Sequence, residues 1–173
     1  ISAFNESQRW ILETDPTFGE RRDDAGEQGM AVARSVALLS YRGGPAYCLT
    51  QQDNEELKGN LFKRRVHSYQ RYQGEKLRRR FNACSYYRLS QAVVSHNLGR
   101  VRGEVEEQLK KIRSKCLVVA ITSDILFPPS DHKELVECIP NVEYHLIDSD
   151  FGHDGFLVEH KQLNEILLRF LGE

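Results

Sequence analysis

His153 sits in the run Asp150-Phe151-Gly152-His153-Asp154-Gly155-Phe156-Leu157, and Asp124 lies 29 positions before it. Each follows a stretch that reads as a β-strand. An imidazole is the side chain best suited to take up and return a proton near neutral pH. A carboxylate that accepts from one ring nitrogen orients the ring and stabilises the imidazolium formed when the other nitrogen takes a proton. An acid after one strand and a base after a later one is the chain order of a large class of serine-dependent acyl-transfer sites, with the serine upstream of both. No Gly-x-Ser-x-Gly or near variant occurs in the sequence. The expectation is therefore the second half of an enzyme, with an acid and a base but no complete active site by itself. A plainer role stays open for each residue: an Asp after a strand also caps helices and forms turns, and a loop His is commonly a surface residue.

The flanking segments must bring the two side chains together. Cys116-Leu117-Val118-Val119-Ala120-Ile121 is a continuous apolar run, the pattern of a strand buried on both faces of a parallel sheet. Asp131 and Glu134 are spaced as a capping box for a helix through Ile139, and Pro140-Asn141 turns the chain. Val142, Tyr144 and Leu146 alternate as in a second strand. A helix over 162–171 points Leu163, Ile166, Leu167 and Phe170 inward. Strand, helix, strand is a unit with parallel strands, whose carboxyl ends are where ligands and chemistry collect. Two strands do not make an independent parallel sheet, so more of the sheet is expected from elsewhere.

Residues 1–112 have a different texture. Helices are predicted near 4–15, over 25–41, 64–80 and 83–97, and in a short charged segment over 104–112. Val66, Tyr69, Gln73 and Leu77 mark the inner stripe of the third. Tyr86, Leu89, Val93 and Val94 mark that of the fourth. Residues 46–60 read as a polar loop, and Arg42-Gly43-Gly44-Pro45 as a helix stop. The expected division is a helical region over 1–112 and an α/β region over 113–173.

Composition narrows the classes. Of 173 residues, 40% are hydrophobic and 28% charged, and 24 basic side chains meet 25 acidic ones for a net charge of −1. That is a globular composition, with no whole-chain attraction for nucleic acid or an anionic membrane. Lys63-Arg64-Arg65, Arg78-Arg79-Arg80 and Lys110-Lys111-Ile112-Arg113 have acidic neighbours and read as solvated helix faces. No apolar run approaches the roughly 20 residues of a membrane span, and no signal peptide opens the sequence. Cys48, Cys84, Cys116 and Cys138 are far apart, without the spacing of a zinc site. Cys116 and Cys138 fall in apolar stretches and read as core. His67, His96, His132, His145 and His160 have no metal-ligand spacing. A cytoplasmic protein with reduced thiols, no metal, no bound cofactor and neither a nucleic-acid nor a membrane partner is expected.

The motifs go further than the spacing. Ser123-Asp124-Ile125-Leu126-Phe127-Pro128-Pro129 and Gly152-His153-Asp154-Gly155-Phe156-Leu157 resemble the two late motifs of the homoserine O-acetyltransferases. So do Ala3-Phe4-Asn5-Glu6-Ser7-Gln8-Arg9, the stretch Gly29-Met30-Ala31-Val32-Ala33-Arg34-Ser35 through Tyr41, and Ser68-Tyr69-Gln70-Arg71-Tyr72-Gln73-Gly74-Glu75-Lys76. The five occur in the family's order and cover most of the chain. The resemblance implies the C-terminal part of an α/β-hydrolase fold with a helical cap. It also implies transfer of an acetyl group (in some members succinyl) from coenzyme A to the hydroxyl of L-homoserine, a step toward methionine, in a cytoplasmic homodimer paired through the cap helices. On it, Asp124 matches the triad acid and His153 the base. Arg34 matches the arginine that holds the homoserine carboxylate, and Tyr41 and Asp154 match residues lining that pocket. Arg34 and Tyr41 are seven apart, two helical turns, and share a face. The serine elbow, the oxyanion hole and part of the acyl-coenzyme A tunnel are expected in a missing N-terminal half. Gly155 stands where the family more often has Ala, and Asn82-Ala83-Cys84-Ser85-Tyr86 only approximates its pattern. An esterase with water as acceptor, or an inactive piece serving only as cap and dimerisation module, are the alternatives.

Overall fold

A computed structural model describes residues 1–53 and 64–172. The chain forms two compact units, one of residues 1–40 and 44–96, the other of residues 41–43 and 97–173. Residues 97–112, expected with the helical region, cluster with the sheet instead. Their apolar side chains Leu98, Val105, Leu109 and Ile112 pack on Cys138 and Ile139.

The first unit is helical: α1 (Ser2–Glu13), α2 (Glu27–Tyr41, its last residue counted with the second unit), α3 (Gly44–Thr50), α4 (Arg65–Arg78) and α5 (Ala83–Ser95). α1 stops just before Asp15-Pro16, because the residue preceding a proline is driven out of helical geometry. α3 overturns the expected loop from residue 46. Pro45 lies in its first turn, where the missing N–H is not needed. Residues 54–60 of that expected loop, and Lys63 of the first basic cluster, lie outside the described residues. Asn82 starts α5, its side-chain oxygen accepting from the Ser85 N–H at 3.0 Å.

Leu12, Met30, Ala33, Leu77 and Ala83 form this unit's core. Small residues set the helix spacing. A Cβ on Gly74 of α4 would stand 2.4 Å from the Ala31 carbonyl oxygen of α2, so only glycine allows this approach. On α5 the inward residues are Ala83, Tyr86, Tyr87 and Ser90. Leu89 and Val93, expected inward, are 57% and 58% exposed. Polar contacts to α1 decide the orientation: Arg9 donates to the Ser90 hydroxyl, and the Tyr86 and Tyr87 hydroxyls donate to Gln8 and Glu13.

The second unit holds α6 (Val105–Leu109), β1 (Cys116–Ile121), α7 (Lys133–Cys138), β2 (Val142–Ile147), α8 (Gly155–Val158) and α9 (His160–Leu171), with 3-10 turns at Pro129–His132 and Gly152–Asp154. β1 and β2 pair in parallel from Cys116↔Val142 to Ile121↔Ile147. One face packs Leu117, Val119, Ile121 and Ile147 on Leu163 and Ile166 of α9. On the other, α6 and α7 pack toward Cys116 and Val142, leaving Leu146 50% exposed. Only Ala120 and Ile121 of β1 are fully buried, so the expected burial on both faces is not met by the described residues. Leu167 of α9 is exposed rather than inward. The expected capping box does not form. Pro129 opens a tighter turn that takes up Asp131, and α7 begins at Lys133 without a side-chain cap. Lys115 fastens the far end: its Nζ pairs with Glu143 of β2 at 2.8 Å and donates to the Phe170 carbonyl of α9 at 3.2 Å. No helix among the described residues is long and apolar enough to cross a membrane.

One carboxylate organises the first unit's long connection. Asp15 accepts from the Gly29 N–H at 2.7 Å and from the Thr17 N–H and hydroxyl at 2.9 and 2.8 Å. It thus caps α2 from outside the helix, and the Thr17 hydroxyl accepts from the Gly26 N–H at 2.9 Å. Burial works to raise the Asp15 carboxyl, but hydrogen bonds from Gly29, Thr17 and Gln28 outweigh it and hold it below its ordinary value. A carboxyl held down in the folded state contributes stability that is full above its unfolded value of about 4 and is lost as pH falls below that through the folded value. Asp15 accepts with both oxygens, one of which becomes an NH2 donor in Asp15→Asn, so this substitution is expected to cost about 1 kcal/mol at neutral pH, with the gap to wild type narrowing near pH 3. Urea unfolding of both proteins at the two pH values checks this, and an equal gap at both would refute it.

Candidate active site

Because β1 and β2 are parallel and in register, Ile121 and Ile147 end at the same edge. The loops that leave them carry Asp124 and His153. Asp124 Oδ2 lies 2.8 Å from His153 Nδ1. Oδ1 of the same carboxylate accepts from the N–H groups of Leu126 at 2.8 Å and Phe127 at 2.9 Å, the local bonding that makes Asp a turn former. Asp124 is only 6% exposed, and three donors compensate for burying its charge. A carboxylate can only accept, so Nδ1 carries the ring proton and Nε2 keeps its lone pair. The His153 side chain is only partly buried.

Three rings wall the imidazole. The centroids of Phe127, Phe156 and Tyr41 lie 5.3, 5.6 and 5.7 Å from that of His153. The turn beneath is tight. Gly152 has φ +62°, and a Cβ there would stand 2.7 Å from the Gly43 nitrogen and 3.0 Å from the Tyr41 carbonyl oxygen. Residues 41–43 are therefore packed directly on the histidine turn. Arg42 Nε donates to Asp154 Oδ2 at 3.1 Å, with both side chains mostly buried. A hydroxyl network joins the two loops: Ser123 donates to the Ser149 carbonyl at 2.5 Å and accepts from the Gly152 N–H at 2.9 Å. Thr122 accepts from the Ser149 N–H at 3.1 Å, and Ser149 donates to Glu159 at 2.9 Å.

Of the five site residues expected from sequence, Asp124, His153, Tyr41 and Asp154 come together in the second unit. Arg34 is a partly buried residue of α2 in the first unit. Arg42 escaped the sequence reading, which took it for part of a helix stop. Its position next to Tyr41 was the available signal. Ser123, Phe127 and Phe156 lay inside the two late motifs, where only Asp and His had obvious chemistry. Gly155 fits closely, since a Cβ would stand 3.0 Å from Ile121 Cγ2 and 3.1 Å from Ser149 Oγ. Among the described residues no group of three or more His, Cys, Asp or Glu side chains is placed to hold a metal ion.

Comparison with known proteins agrees with this architecture. No family model matches the chain. A homoserine O-acetyltransferase of Cyclobacterium marinum is 40% identical over 98% of this chain and 48% of its own length. One from Clavibacter michiganensis subsp. michiganensis is 37% identical over 98% of this chain and 47% of its own length. The chain thus spans about half the length of the curated relatives it matches. Among solved structures, homoserine O-acetyltransferase from Bacillus anthracis superposes with a TM-score of 0.81 at 17% identity, over 99% of this chain and 49% of that one. These structural likenesses show an α/β-hydrolase fold.

The turn at Gly152 gives a direct test of the site's packing. Gly152→Ala puts a methyl against backbone at a left-handed position, and is expected to destabilise the chain by about 1–3 kcal/mol. Thermal unfolding measures it, and an unchanged midpoint would show that residues 41–43 do not brace this turn.

Proposed function

We propose that the chain, which is similar to homoserine O-acetyltransferases over nearly its whole length, carries the acid and base of an acyltransferase that moves an acetyl group from acetyl-coenzyme A to the hydroxyl of L-homoserine. The observation that supports this most is the hydrogen bond from His153 Nδ1–H to the buried Asp124 carboxylate.

The reaction proceeds in two displacements. A serine outside this chain gives its hydroxyl proton to His153 Nε2 as its oxygen bonds the thioester carbon. The carbon–sulfur bond breaks, and coenzyme A leaves as the thiol with that proton. The homoserine hydroxyl then attacks the acyl-serine, again giving its proton to Nε2, which returns it to the serine oxygen as the ester forms. Asp124 stabilises the imidazolium in both steps. Arg34 holds the homoserine carboxylate, for which a planar guanidinium is well suited. Tyr41 and Asp154 line the acceptor pocket near the amine and hydroxyl, with Asp154 oriented by Arg42. Transfer beats hydrolysis where water is kept from the acyl-serine, and in this reading two copies of the protein pair in the cytoplasm.

Coenzyme A release from acetyl-coenzyme A, followed with and without L-homoserine in the protein that includes the serine-bearing segment, tests the proposal. Release should depend on homoserine. His153→Ala should lower kcat by roughly 10⁴-fold, and Arg34→Ala should raise KM for homoserine more than for the acyl donor. Release that ignores homoserine would mean an esterase and remove the roles given to Arg34 and Asp154.

A further inference from the structure

We propose that Ser123 is a positioning residue for the acid–base pair, its single hydroxyl fixing the separation at which Asp124 meets His153. The proposal rests on the reading of those two residues as acid and base. Ser123 is the chain neighbour of Asp124, and Gly152 is the chain neighbour of His153. The Ser123 hydroxyl accepts from the Gly152 N–H at 2.9 Å while donating to the Ser149 carbonyl at 2.5 Å. A short ring closes in this way: Asp124, Ser123, across to Gly152, His153, and back through the 2.8 Å bond to Asp124.

Among the described residues no other group duplicates this tie. Thr122 bonds Asp148 and Ser149, upstream of the histidine turn. The Ser149 carbonyl keeps the Thr122 hydroxyl at 3.3 Å if Ser123 is lost, but the buried Gly152 N–H loses its Ser123 acceptor. Gly152 is closely packed on its far side, against Tyr41 and Gly43. The side facing β1 is held by the hydroxyl. Serving as donor and acceptor at once takes a hydroxyl, so threonine should substitute and alanine should not.

The test reads the Nδ1 proton of His153 by proton NMR of the chain, with Asp124→Ala as reference. That proton should give a low-field signal protected from exchange by the carboxylate, and Asp124→Ala should abolish it. Ser123→Ala should speed its exchange with water about 10-fold or more, while Ser123→Thr and Thr122→Ala stay near wild type. In the serine-bearing protein, Ser123→Ala should lower kcat by about 10- to 100-fold, the effect of a small misplacement of a reacting group, with KM for the acyl donor unchanged and Ser123→Thr restoring the rate. If Ser123→Ala does not fold, Ser123→Cys, a longer and weaker hydrogen-bonding side chain, is measured in its place. Wild-type exchange and wild-type kcat in a folded Ala or Cys variant would overturn the proposal. Loss of the signal in Asp124→Ala but not in Ser123→Ala would reject only the role of Ser123. A signal that survives Asp124→Ala would reject the acid–base pair itself.

Discussion

Six residue pairs of the parallel strands β1 and β2, Cys116↔Val142 through Ile121↔Ile147, put two loop starts side by side at one edge. Adjacent strands lie about 4.8 Å apart, so a short acidic side chain from one loop can meet an imidazole from the next. The helices on the sheet keep that edge in place. Leu163 and Ile166 of α9 hold one face, while α6 and α7 hold the other near the strand starts. Lys115 ties β1 to Glu143 and to the end of α9 at the opposite edge. A one-residue slip of β2 would turn Ile147 out of the core and carry His153 away from Asp124. The packing that selects the register therefore also selects the site.

Much of this was legible in the sequence, and the legible part has a common cause. Cys116–Ile121 and Val142–Ile147 announced themselves by apolar run and alternation, and Asp124 and His153 by their places after those strands. What stayed hidden depended on partners distant in sequence. Arg42 looks like part of a helix stop until residues 41–43 are seen packed under Gly152 and paired with Asp154. Leu89 and Val93 fit an inward helical stripe, yet Ser90 and Ala83 take the contact face because Arg9, Gln8 and Glu13 on α1 bond that side of α5. Asp131 and Glu134 have capping-box spacing, but Pro129 had already started a different turn. An apolar run predicts full cover for β1, whereas Cys116 through Val119 are only partly buried among the described residues.

The helical unit follows a related logic with smaller parts. Gly74 against Ala31, with Ala33 and Ala83 in the core, lets helices approach closely around Leu12 and Met30. The connection between α1 and α2 carries few apolar residues and is held by Asp15 and Thr17. Side-chain oxygens there replace the ladder bonds that a helix or strand would supply, which is how an irregular segment satisfies its N–H groups. Sequence periodicity has no sign for such bonds, although Asp and Thr near a helix start are the residue types that make them.

Asp124 divides its two oxygens between two tasks. Oδ1 faces the N–H groups of Leu126 and Phe127, and Oδ2 faces the imidazole. That division lets the loop tell a carboxylate from an amide of the same shape. With asparagine at this position, the two N–H donors would claim its carbonyl oxygen, and its NH2 would have to point at Nδ1. A ring nitrogen facing a donor gives up its own hydrogen, which then moves to Nε2, the nitrogen that must be bare to accept a proton. Two main-chain groups would then take the bare lone pair from Nε2, although nothing in the loop had changed its shape.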